Sequence, residues 1–283
     1  MQTLAYLKIQ IKFFFQNLLK KSLNNLFITI FTAFGLNFSI KKSAILYADF
    51  MFKKRSLKLE RIDTGDYTAE EYERFLHEIG FINRYLGDRR TLKKTLFSEI
   101  EAKKLEEFSV LDVGAGSGEL LRAIAKFVRK TNRKAKLFGL ELNERSAKAI
   151  LEESQDFAEI KSIRGDALHL PFLDKSFDYA ICSLFTHHFS DENIVEILKE
   201  MNRVSRRKIF VIDLHRHAAA YFLYKIFCFA FRISPLVRDD GSLSILRSFK
   251  PLELEVLAQK AGLKNAEIQR HFPFRLVLNS SVG

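Results

Sequence analysis

The segment Ser109–Leu120, SVLDVGAGSGEL, joins a run of apolar residues to an acid and then to glycines at every second position. The acid is Asp112, and the glycines are Gly114, Gly116 and Gly118. Where a buried strand ends and a helix begins, unpaired N–H groups and the positive end of the helix dipole face the space above the sheet. Glycines let a ligand approach that backbone closely. The segment therefore predicts a nucleotide-like or anionic ligand at the carboxyl edge of a sheet.

The spacing of the glycines narrows the choice of ligand. A dinucleotide-binding loop needs G-x-G-x-x-G, and Glu119 stands where its third glycine would be required. The G-K-[ST] of a phosphate-binding P-loop is also absent. An acid at Asp112 is unfavourable beside a pyrophosphate but favourable beside an ammonium or sulfonium charge. The loop therefore favours a ligand that carries positive charge.

Two further acids follow at the predicted ends of the next two strands. Glu141 ends the second strand, where a carboxylate can accept from both hydroxyls of a ribose. Asp166 ends the third strand, in RGDALHLPF, where an acid can accept from an adenine amino group. Each acid alone is a weak signal because acids often end strands as helix caps. Three acids at the ends of successive strands indicate one nucleoside site.

With these residues in place, the chain resembles the class I S-adenosylmethionine (SAM)-dependent methyltransferases from about Leu105 to Val277. VLDVGAGSG is similar to the first motif of that family, and GLELN to its ribose-binding acidic loop. GDALHLPFLDKSFDYAICSLFTHHF is similar to the adenine-side motif and the fourth-strand segment. The resemblance implies SAM as cofactor. It implies these cofactor contacts: Asp112, Gly114, Ala115, Gly116 and Gly118 around the methionine moiety, Glu141 and Leu142 at the ribose, Asp166 and Ala167 at the adenine, and Ser183 at the end of the fourth strand.

The elements that position these residues alternate between strand and helix from about residue 105 onward. Five apolar strand segments separated by helical patterns predict a parallel sheet with helices on both faces. Two final strands are joined by a short connection around Pro273 and must therefore be antiparallel. We expect an α/β fold: a seven-stranded, mostly parallel, Rossmann-like methyltransferase sheet with a C-terminal antiparallel pair and an N-terminal helical extension. The domains expected are a hydrophobic basic extension (1–50), a helical cap region (51–104) and the methyltransferase domain (105–283).

Residues 1–50 differ in composition from the rest of the chain. They hold six lysines and one acid, and Ser22–Ile40 is a run of nineteen residues without charge. That run is long enough to just span a bilayer, but asparagines interrupt it. Three hypotheses stand: an over-extended start with Met51 as the true one, a membrane-associating anchor, or a targeting peptide. The anchor hypothesis predicts peripheral membrane association.

The composition limits the class of protein. A formal net charge of +12 suits nucleic acid or an anionic membrane. However, basic residues are not interleaved with aromatic ones as in a base-stacking platform, so we expect no nucleic-acid partner. The two cysteines, Cys182 and Cys228, exclude a disulfide framework and a thiolate zinc site. They suit a reducing compartment, so we expect a cytoplasmic protein that is membrane-associated if the anchor hypothesis holds.

The segments after the fourth and fifth strands indicate the methyl acceptor. Ser183 and the three residues after it do not form the Asp/Asn-Pro-Pro-aromatic motif of nucleic-acid amino methyltransferases. The carboxylates of the metal-dependent catechol-type enzymes are also absent, so we expect no metal. Four histidines lie in these two loops, and a neutral imidazole could deprotonate a phenol or enol. The candidate general bases are His187, His188 and His215, with His217 as the fourth histidine; the alternative is that they only cap the loops.

An aromatic segment, AAAYFLYKIFCFAFRI, follows the fifth strand and predicts either a core helix or a lid over the acceptor. Asp240, Ser244 and Arg247, in RDDGSLSILRSF, are then either polar groups near the acceptor pocket or simply a turn and a helix cap. Four motifs together, INRYLG before the cofactor motif, DLHRH after the fifth strand, DDGSLSILRSF and the closing PFRLVL, resemble those of bacterial small-molecule methyltransferases. Some of these enzymes are similar to quinone-biosynthesis enzymes, and others are linked to aromatic polyketides and secondary metabolism. The leading hypothesis is a lipophilic phenol, quinol or polyketide-like acceptor, with O-methylation ahead of C-methylation. The alternatives are a protein or RNA methyltransferase and a non-catalytic SAM-binding accessory protein.

Overall fold

A computed structural model describes residues 51–86 and 88–282. The chain divides into two compact units, Met1–Lys54 and Arg55–Gly283. The second unit contains the predicted cofactor motifs. Most of the first lies outside the described residues, so the three hypotheses on residues 1–50 stay predictions.

In the described part of the chain the second unit is built on one seven-stranded sheet with the order β3-β2-β1-β4-β5-β7-β6. β7 is antiparallel to both of its neighbours, whereas β1 to β5 are parallel. This arrangement confirms the predicted fold class. The strands are β1 (Glu107–Val113), β2 (Lys134–Glu141), β3 (Ile160–Arg164), β4 (Phe177–Ser183), β5 (Ser205–Leu214), β6 (Ala266–His271) and β7 (Arg275–Ser281).

Helices precede the sheet and connect its strands. A π-helical segment, Lys93–Phe97, joins α3 to α4, and a short 3₁₀ helix, Thr186–His188, follows β4. The helices are α1 (Arg61–Thr64), α2 (Ala69–Leu86), α3 (Asp88–Leu92), α4 (Ser98–Ala102), α5 (Glu119–Lys130), α6 (Glu144–Glu152), α7 (Asp191–Val204), α8 (Ala218–Ala230), α9 (Pro235–Arg247) and α10 (Pro251–Lys260).

Both faces of the sheet are buried. Along β1, Leu111 and Val113 belong to one apolar cluster, whereas Phe108 and Val110 belong to the cluster on the opposite face. Side chains alternate between the two faces of a strand, so a strand covered on both sides must be apolar throughout. The continuous apolar run that predicted this strand therefore reflects its central place in the sheet.

The long N-terminal helix α2 begins with a reciprocal pair of side-chain to backbone hydrogen bonds. Thr68 Oγ1 accepts from the Glu71 backbone N–H at 3.2 Å, and Glu71 Oε2 accepts from the Thr68 N–H at 3.0 Å. This reciprocal pair is a capping box, which satisfies two N–H groups at the start of α2.

The segment RDDGSLSILRSF forms most of α9, so the expectation of a simple turn with a helix cap was wrong. Its pattern has no clear apolar stripe, and Gly241 lies in its middle. A Cβ at Gly241 would lie 2.1 Å from the Tyr224 hydroxyl of α8. The Tyr224 hydroxyl donates to the Val237 carbonyl at 2.7 Å. The glycine therefore serves the close approach of two helices and does not break the helix.

α8 is a partly buried helix. Tyr224 and Cys228 pack into an apolar cluster, whereas Phe222, Ile226 and Phe229 are exposed on another side. Within the described residues, no helix combines the length and apolarity that crossing a membrane would require.

Candidate functional site

The glycine loop after β1 is held against the end of β2. The N–H groups of Gly114 and Ala115 both donate to the Leu140 carbonyl, at 2.9 and 3.2 Å. Gly114, Gly116 and Gly118 have φ values of +70°, +54° and +81°, which L side chains rarely adopt. Gly118 is also the N-cap of α5. The loop therefore exposes backbone at the N-terminal end of a helix, as the sequence predicted.

Asp112 lies beneath this loop and is 2% exposed. Among the described residues, no side chain or backbone donor forms a hydrogen bond with its carboxylate. Burial raises the pKa of Asp112 to about 8, and the nearby charge of Glu141 adds to the rise. A buried carboxylate without a donor is unfavourable when charged, and a cationic ligand would stabilise it.

Glu141 lies at the end of β2 and is partly committed to the loop. Its Oε2 accepts from the Gly116 N–H at 3.0 Å, and its Oε1 accepts from the Asn143 N–H at 3.3 Å. Burial raises the pKa of Glu141, although these backbone hydrogen bonds act in the opposite direction. Asp112 and Glu141 therefore form a pair of carboxylates at one edge of the sheet. Among the residues that the structure describes, no positively charged side chain neutralises both of them.

The adenine-side residues occupy the next strand end. The N–H of Gly165, directly before Asp166, donates to the Glu141 carbonyl at 3.1 Å. Asp166 Oδ1 accepts from the Leu168 N–H at 2.9 Å, and Oδ2 takes no part in that hydrogen bond. Ala167 is buried, whereas Leu142, a large apolar side chain, is 63% exposed. The structure thus places these residues along the carboxyl edge in the order that the sequence predicted.

Two features of the β4 end face the glycine loop. The Phe185 ring packs on the Gly114 backbone so closely that a Cβ at residue 114 would lie 2.2 Å from it. The Ser183 hydroxyl is buried and has no hydrogen-bond partner within the described chain. The β4 loop therefore contacts the cofactor loop directly.

His187 is buried in this β4 loop and is held by Asp213 at the end of β5. Its Nδ1 lies 2.7 Å from Asp213 Oδ1, and its backbone N–H donates to Asp213 Oδ2 at 3.1 Å. The Thr186 hydroxyl donates to the same oxygen at 2.6 Å. Burial alone would raise the pKa of Asp213, but the charge and hydrogen bond of His187 lower it to about 2. Asp213 therefore stays ionised and orients the imidazole.

His188 is more exposed and is oriented by a different acid. Its Nδ1 lies 2.7 Å from Asp63 Oδ1. Burial opposes ionisation of Asp63, but the hydrogen bond and charge of His188 hold the pKa of Asp63 below its usual value. The rings of His187 and His188 are 4.3 Å apart. The charge of His188 also acts on Glu141, so the imidazole pair and the cofactor-side acids are within electrostatic range of each other.

The third candidate base, His215, has a different set of neighbours. Burial, followed by the charges of His217 and nearby basic residues, lowers the pKa of His215 to about 4. Its backbone N–H donates to the Phe274 carbonyl at 2.9 Å, and the His217 ring lies 5.4 Å away. His217 caps α8 by accepting from the Ala219 N–H at 3.2 Å. His217 therefore caps the start of α8.

Glu60 and Asp63 also belong to the site, and sequence reasoning missed both. They lie in LERID, ahead of the cofactor motifs by about fifty residues, with no motif to mark them. Helix α9 holds this segment in place. Ser244 Oγ donates to Glu60 Oε2 at 2.8 Å, and Asp240 accepts from the Arg61 and Ile62 N–H groups at 3.0 and 2.9 Å.

Arg247 of α9 completes the junction between this segment and the β4 loop. Its guanidinium donates to the carbonyls of His187, His188 and Lys58, at 3.1, 2.6 and 2.6 Å. The same group lies 3.1 Å from Asp63 Oδ2. Asp240, Ser244 and Arg247 are thus polar groups at the candidate site, which was one of the two readings of their sequence.

Comparison with known proteins places this geometry in a family. Residues 110–208 match the family described as "Methyltransferase domain". The chain is 29% identical over 146 residues to the demethylmenaquinone methyltransferase of Staphylococcus aureus strain MRSA252. That match covers 52% of this chain and 56% of the relative, so the chain spans little more than half the length of the curated relatives it matches.

Solved structures share the fold at low sequence identity. Magnesium protoporphyrin IX methyltransferase from Synechocystis PCC 6803, with bound SAH, is 14% identical with a TM-score of 0.55. That match covers 79% of this chain and all of the other. The CMeT domain of the citrinin polyketide synthase is 12% identical with a TM-score of 0.51, over 65% of this chain and 50% of the other.

The fold, the acids at successive strand ends and the family match agree with one another. The sheet order places Asp112, Glu141 and Asp166 at the carboxyl edge where a SAM molecule would be held, and the matched family occupies the same segment of the chain. The buried Asp112 and the half-buried Glu141 have no cation among the described residues that compensates both, which fits a positively charged cofactor. Residues 110–208 therefore match a methyltransferase domain, and together with the fold this supports a class I S-adenosylmethionine-dependent methyltransferase that is similar to the demethylmenaquinone methyltransferases.

Proposed function

We propose that this protein transfers a methyl group from SAM to a small lipophilic acceptor: a phenol, a quinol or a polyketide-like enol. O-methylation ranks ahead of C-methylation. The observation that carries the transfer is the pair of the buried Asp112 and the half-buried Glu141, two carboxylates beside a glycine loop that a cationic nucleoside would satisfy. The curated relative is named a demethylmenaquinone methyltransferase, which supports a lipophilic ring-containing acceptor for this chain as well.

The residues of the site divide the work between cofactor and acceptor. Bound SAM supplies a methyl group on a positively charged sulfur, which an aligned nucleophile displaces in line. We assign Asp112 to the cationic methionine part, Glu141 to the ribose and Asp166 to the adenine. The glycine loop lets the backbone approach, Leu142 and Ala167 flank the adenosine, and Ser183 lies on the methionine side.

Phe185, His187 and His188 lie on the acceptor side, in the loop after β4. A phenol attacks efficiently only after its proton is removed, so the acceptor side must control protonation. We assign that control to His187 and His188, whose Nδ1 atoms are occupied by Asp213 and Asp63 and whose Nε2 atoms remain for another partner. His215, with different neighbours, is the weaker candidate.

The apolar surroundings favour a lipophilic acceptor. Phe185 and Phe189 pack edge to face at 4.8 Å beside the cofactor loop. Phe81 of α2 and Phe227 of α8 lie 6.3 Å apart, and Tyr221 and Phe222 continue the aromatic surface of α8. Aromatic side chains beside the reacting groups would bind ring systems by contact area and stacking.

The proposed function is tested by incubating the full chain with methyl-labelled SAM and fractionated bacterial lysate. We expect label in the organic-soluble fraction, with Asp112→Asn as the control that removes it. Label in protein or RNA would instead support the alternative acceptor classes. SAM binding by calorimetry without transfer to any fraction would support a non-catalytic accessory protein, and NAD binding without SAM binding would contradict the family assignment.

A further inference from the structure

We propose that Glu60, His187 and His188 form a binding site for one divalent transition-metal ion of the Zn²⁺ type. One ligand atom from each of the three side chains lies within 4.8 Å of the other two. His187 Nε2 is 3.9 Å from Glu60 Oε1. Two imidazoles and one carboxylate are the nitrogen and oxygen donors that such ions prefer.

Each of the two imidazoles is oriented for metal binding by a carboxylate that is not itself one of the proposed ligands. Metal-bound histidines almost always give their other ring N–H to a carboxylate or carbonyl, which fixes the tautomer. Here Nδ1 of His187 lies 2.7 Å from Asp213, and Nδ1 of His188 lies 2.7 Å from Asp63. Each contact leaves Nε2 with an unshared lone pair. Two adjacent histidines that are both oriented in this way indicate a ligand set.

The carboxylate of Glu60 supplies an independent observation. The side chain is 3% exposed, and its Oε1 is buried without a hydrogen-bond partner within the described chain. Its other oxygen accepts from Ser244 Oγ, which fixes the direction of the free oxygen. A buried carboxylate oxygen without a partner is costly. A metal ion between Oε1 and the two imidazoles would satisfy it.

The charges that face the cluster also allow a cation. Three carboxylates, Glu60, Asp63 and Asp213, surround the two imidazoles. The Arg247 guanidinium pairs with Asp63 Oδ2 at 3.1 Å, and its Nε, which donates to the His187 carbonyl, is 3.6 Å from Glu60 Oε1, too far for a hydrogen bond. The Arg55 guanidinium also donates to the His187 carbonyl, at 3.4 Å, and pairs with Asp191. A divalent ion would balance the remaining negative charge.

A site with three protein ligands leaves coordination positions open for a substrate oxygen. An acceptor phenol that binds there would lose its O–H proton to water, because the ion stabilises the phenolate. The phenolate oxygen would then form a bond to the methyl carbon as the C–S bond breaks and S-adenosylhomocysteine departs. This catalytic role rests on the proposed function, whereas metal binding itself does not. The site differs from the catechol-type position on which the expectation of no metal was based.

The test is a titration of the full chain, after dialysis against chelator, with Co²⁺ followed by its visible absorption and with Zn²⁺ followed by calorimetry. We expect one ion per chain. Glu60→Gln and His188→Gln should each weaken binding by at least about tenfold because each removes a ligand. Glu267→Gln and His271→Gln change the same residue types on β6 and should leave the titration unchanged.

SAM calorimetry on the same variants reports whether the fold and the cofactor site survive. If Glu60→Gln impairs folding, Asp63→Asn provides a second variant that should weaken metal binding, because Asp63 is not itself a proposed ligand but orients His188 and pairs with Arg247. Absence of saturable 1:1 binding, or equal binding by wild type, Glu60→Gln and His188→Gln, would overturn the proposal. If the ion binds as expected but no methyl transfer is detected, the proposed function fails and the metal site stands.

Discussion

At the scale of single residues, Asp112 shows how a buried charge can prepare a protein for its cofactor. The carboxylate is fully enclosed, and its pKa of about 8 means that the neutral form prevails in the ligand-free protein at neutral pH. Binding of a cationic ligand would restore the charge. The free-energy cost of burying the charged Asp112 carboxylate is therefore compensated only when the cofactor is bound.

The first prediction concerns the pH dependence of SAM binding. Because the charged form of Asp112 is the one that attracts a cation, SAM affinity should fall as the pH drops below about 8. Asp112→Asn removes the charge and should weaken SAM binding at pH 8.5 by about 30-fold or more, which corresponds to roughly 2 kcal/mol for a buried charge pair. Calorimetry over a pH series measures both effects. A wild-type affinity that is independent of pH would contradict this role.

The same residue predicts an opposite effect on stability. A carboxyl group whose folded-state pKa is raised from 3.8 to about 8 binds an extra proton in the folded state. The ligand-free protein therefore loses this contribution as the pH rises from about 4 to 8. Asp112→Asn should raise the melting temperature of the ligand-free protein at pH 8.5 but much less at pH 5. An equal shift at both pH values would show that ionisation is not the cause.

At the scale of secondary-structure elements, one glycine allows helices α8 and α9 to pack closely against each other. Gly241 lies against the ring and hydroxyl of Tyr224, and α9 in turn supplies the three polar residues that fasten the Glu60 segment to the β4 loop. Displacement of α9 would therefore disturb the candidate site from a distance.

Substitution of two helical glycines by alanine separates the effect of side-chain packing on stability from the effect of helix propensity. Gly241→Ala should destabilise the protein by about 1–3 kcal/mol because its Cβ would overlap Tyr224. Gly80→Ala, in α2, meets nothing within 4 Å and should stabilise by about 0.4–1 kcal/mol. Denaturant unfolding measures both changes. If Gly241→Ala were neutral, the close contact between α8 and α9 would be absent in solution.

At the scale of the whole molecule, the helical region before the sheet is tied to its last strand. Arg275 Nε in β7 donates to Asp88 Oδ1 in α3 at 2.7 Å, and both side chains are at most 5% exposed. These residues are 187 positions apart in the chain, so the pair joins two segments that are distant in sequence.

The buried pair should matter far more than a surface pair. Asp88→Asn leaves the Arg275 charge buried and should cost about 3–5 kcal/mol of unfolding free energy. Glu73→Gln breaks the exposed contact with Arg145 and should cost less than about 1 kcal/mol. Chemical denaturation of the two variants compares them directly. Similar small losses would mean that the N-terminal helices are not anchored through Asp88.

The sheet edge that we assign to the cofactor was predictable from sequence for a physical reason. Asp112, Glu141 and Asp166 each lie at the end of a strand, and parallel strands bring their carboxyl ends to one edge of a sheet. The glycine spacing reports a backbone conformation that few other residues adopt, so it is visible without coordinates. The sequence by itself thus determined the fold, the cofactor edge and the class of reaction.

The acceptor side was decided by tertiary structure. Glu60 lies 127 positions before His187 along the chain, and the two residues meet because helix α9 holds the Glu60 segment in place. The sequence pattern of α9 does not predict a helix. Orientation of His187 by Asp213 and of His188 by Asp63 depends on contacts between separate elements. Side-chain clusters of this kind leave no periodicity or fixed spacing in the amino-acid sequence, because they depend on how helices pack and not on where strands end.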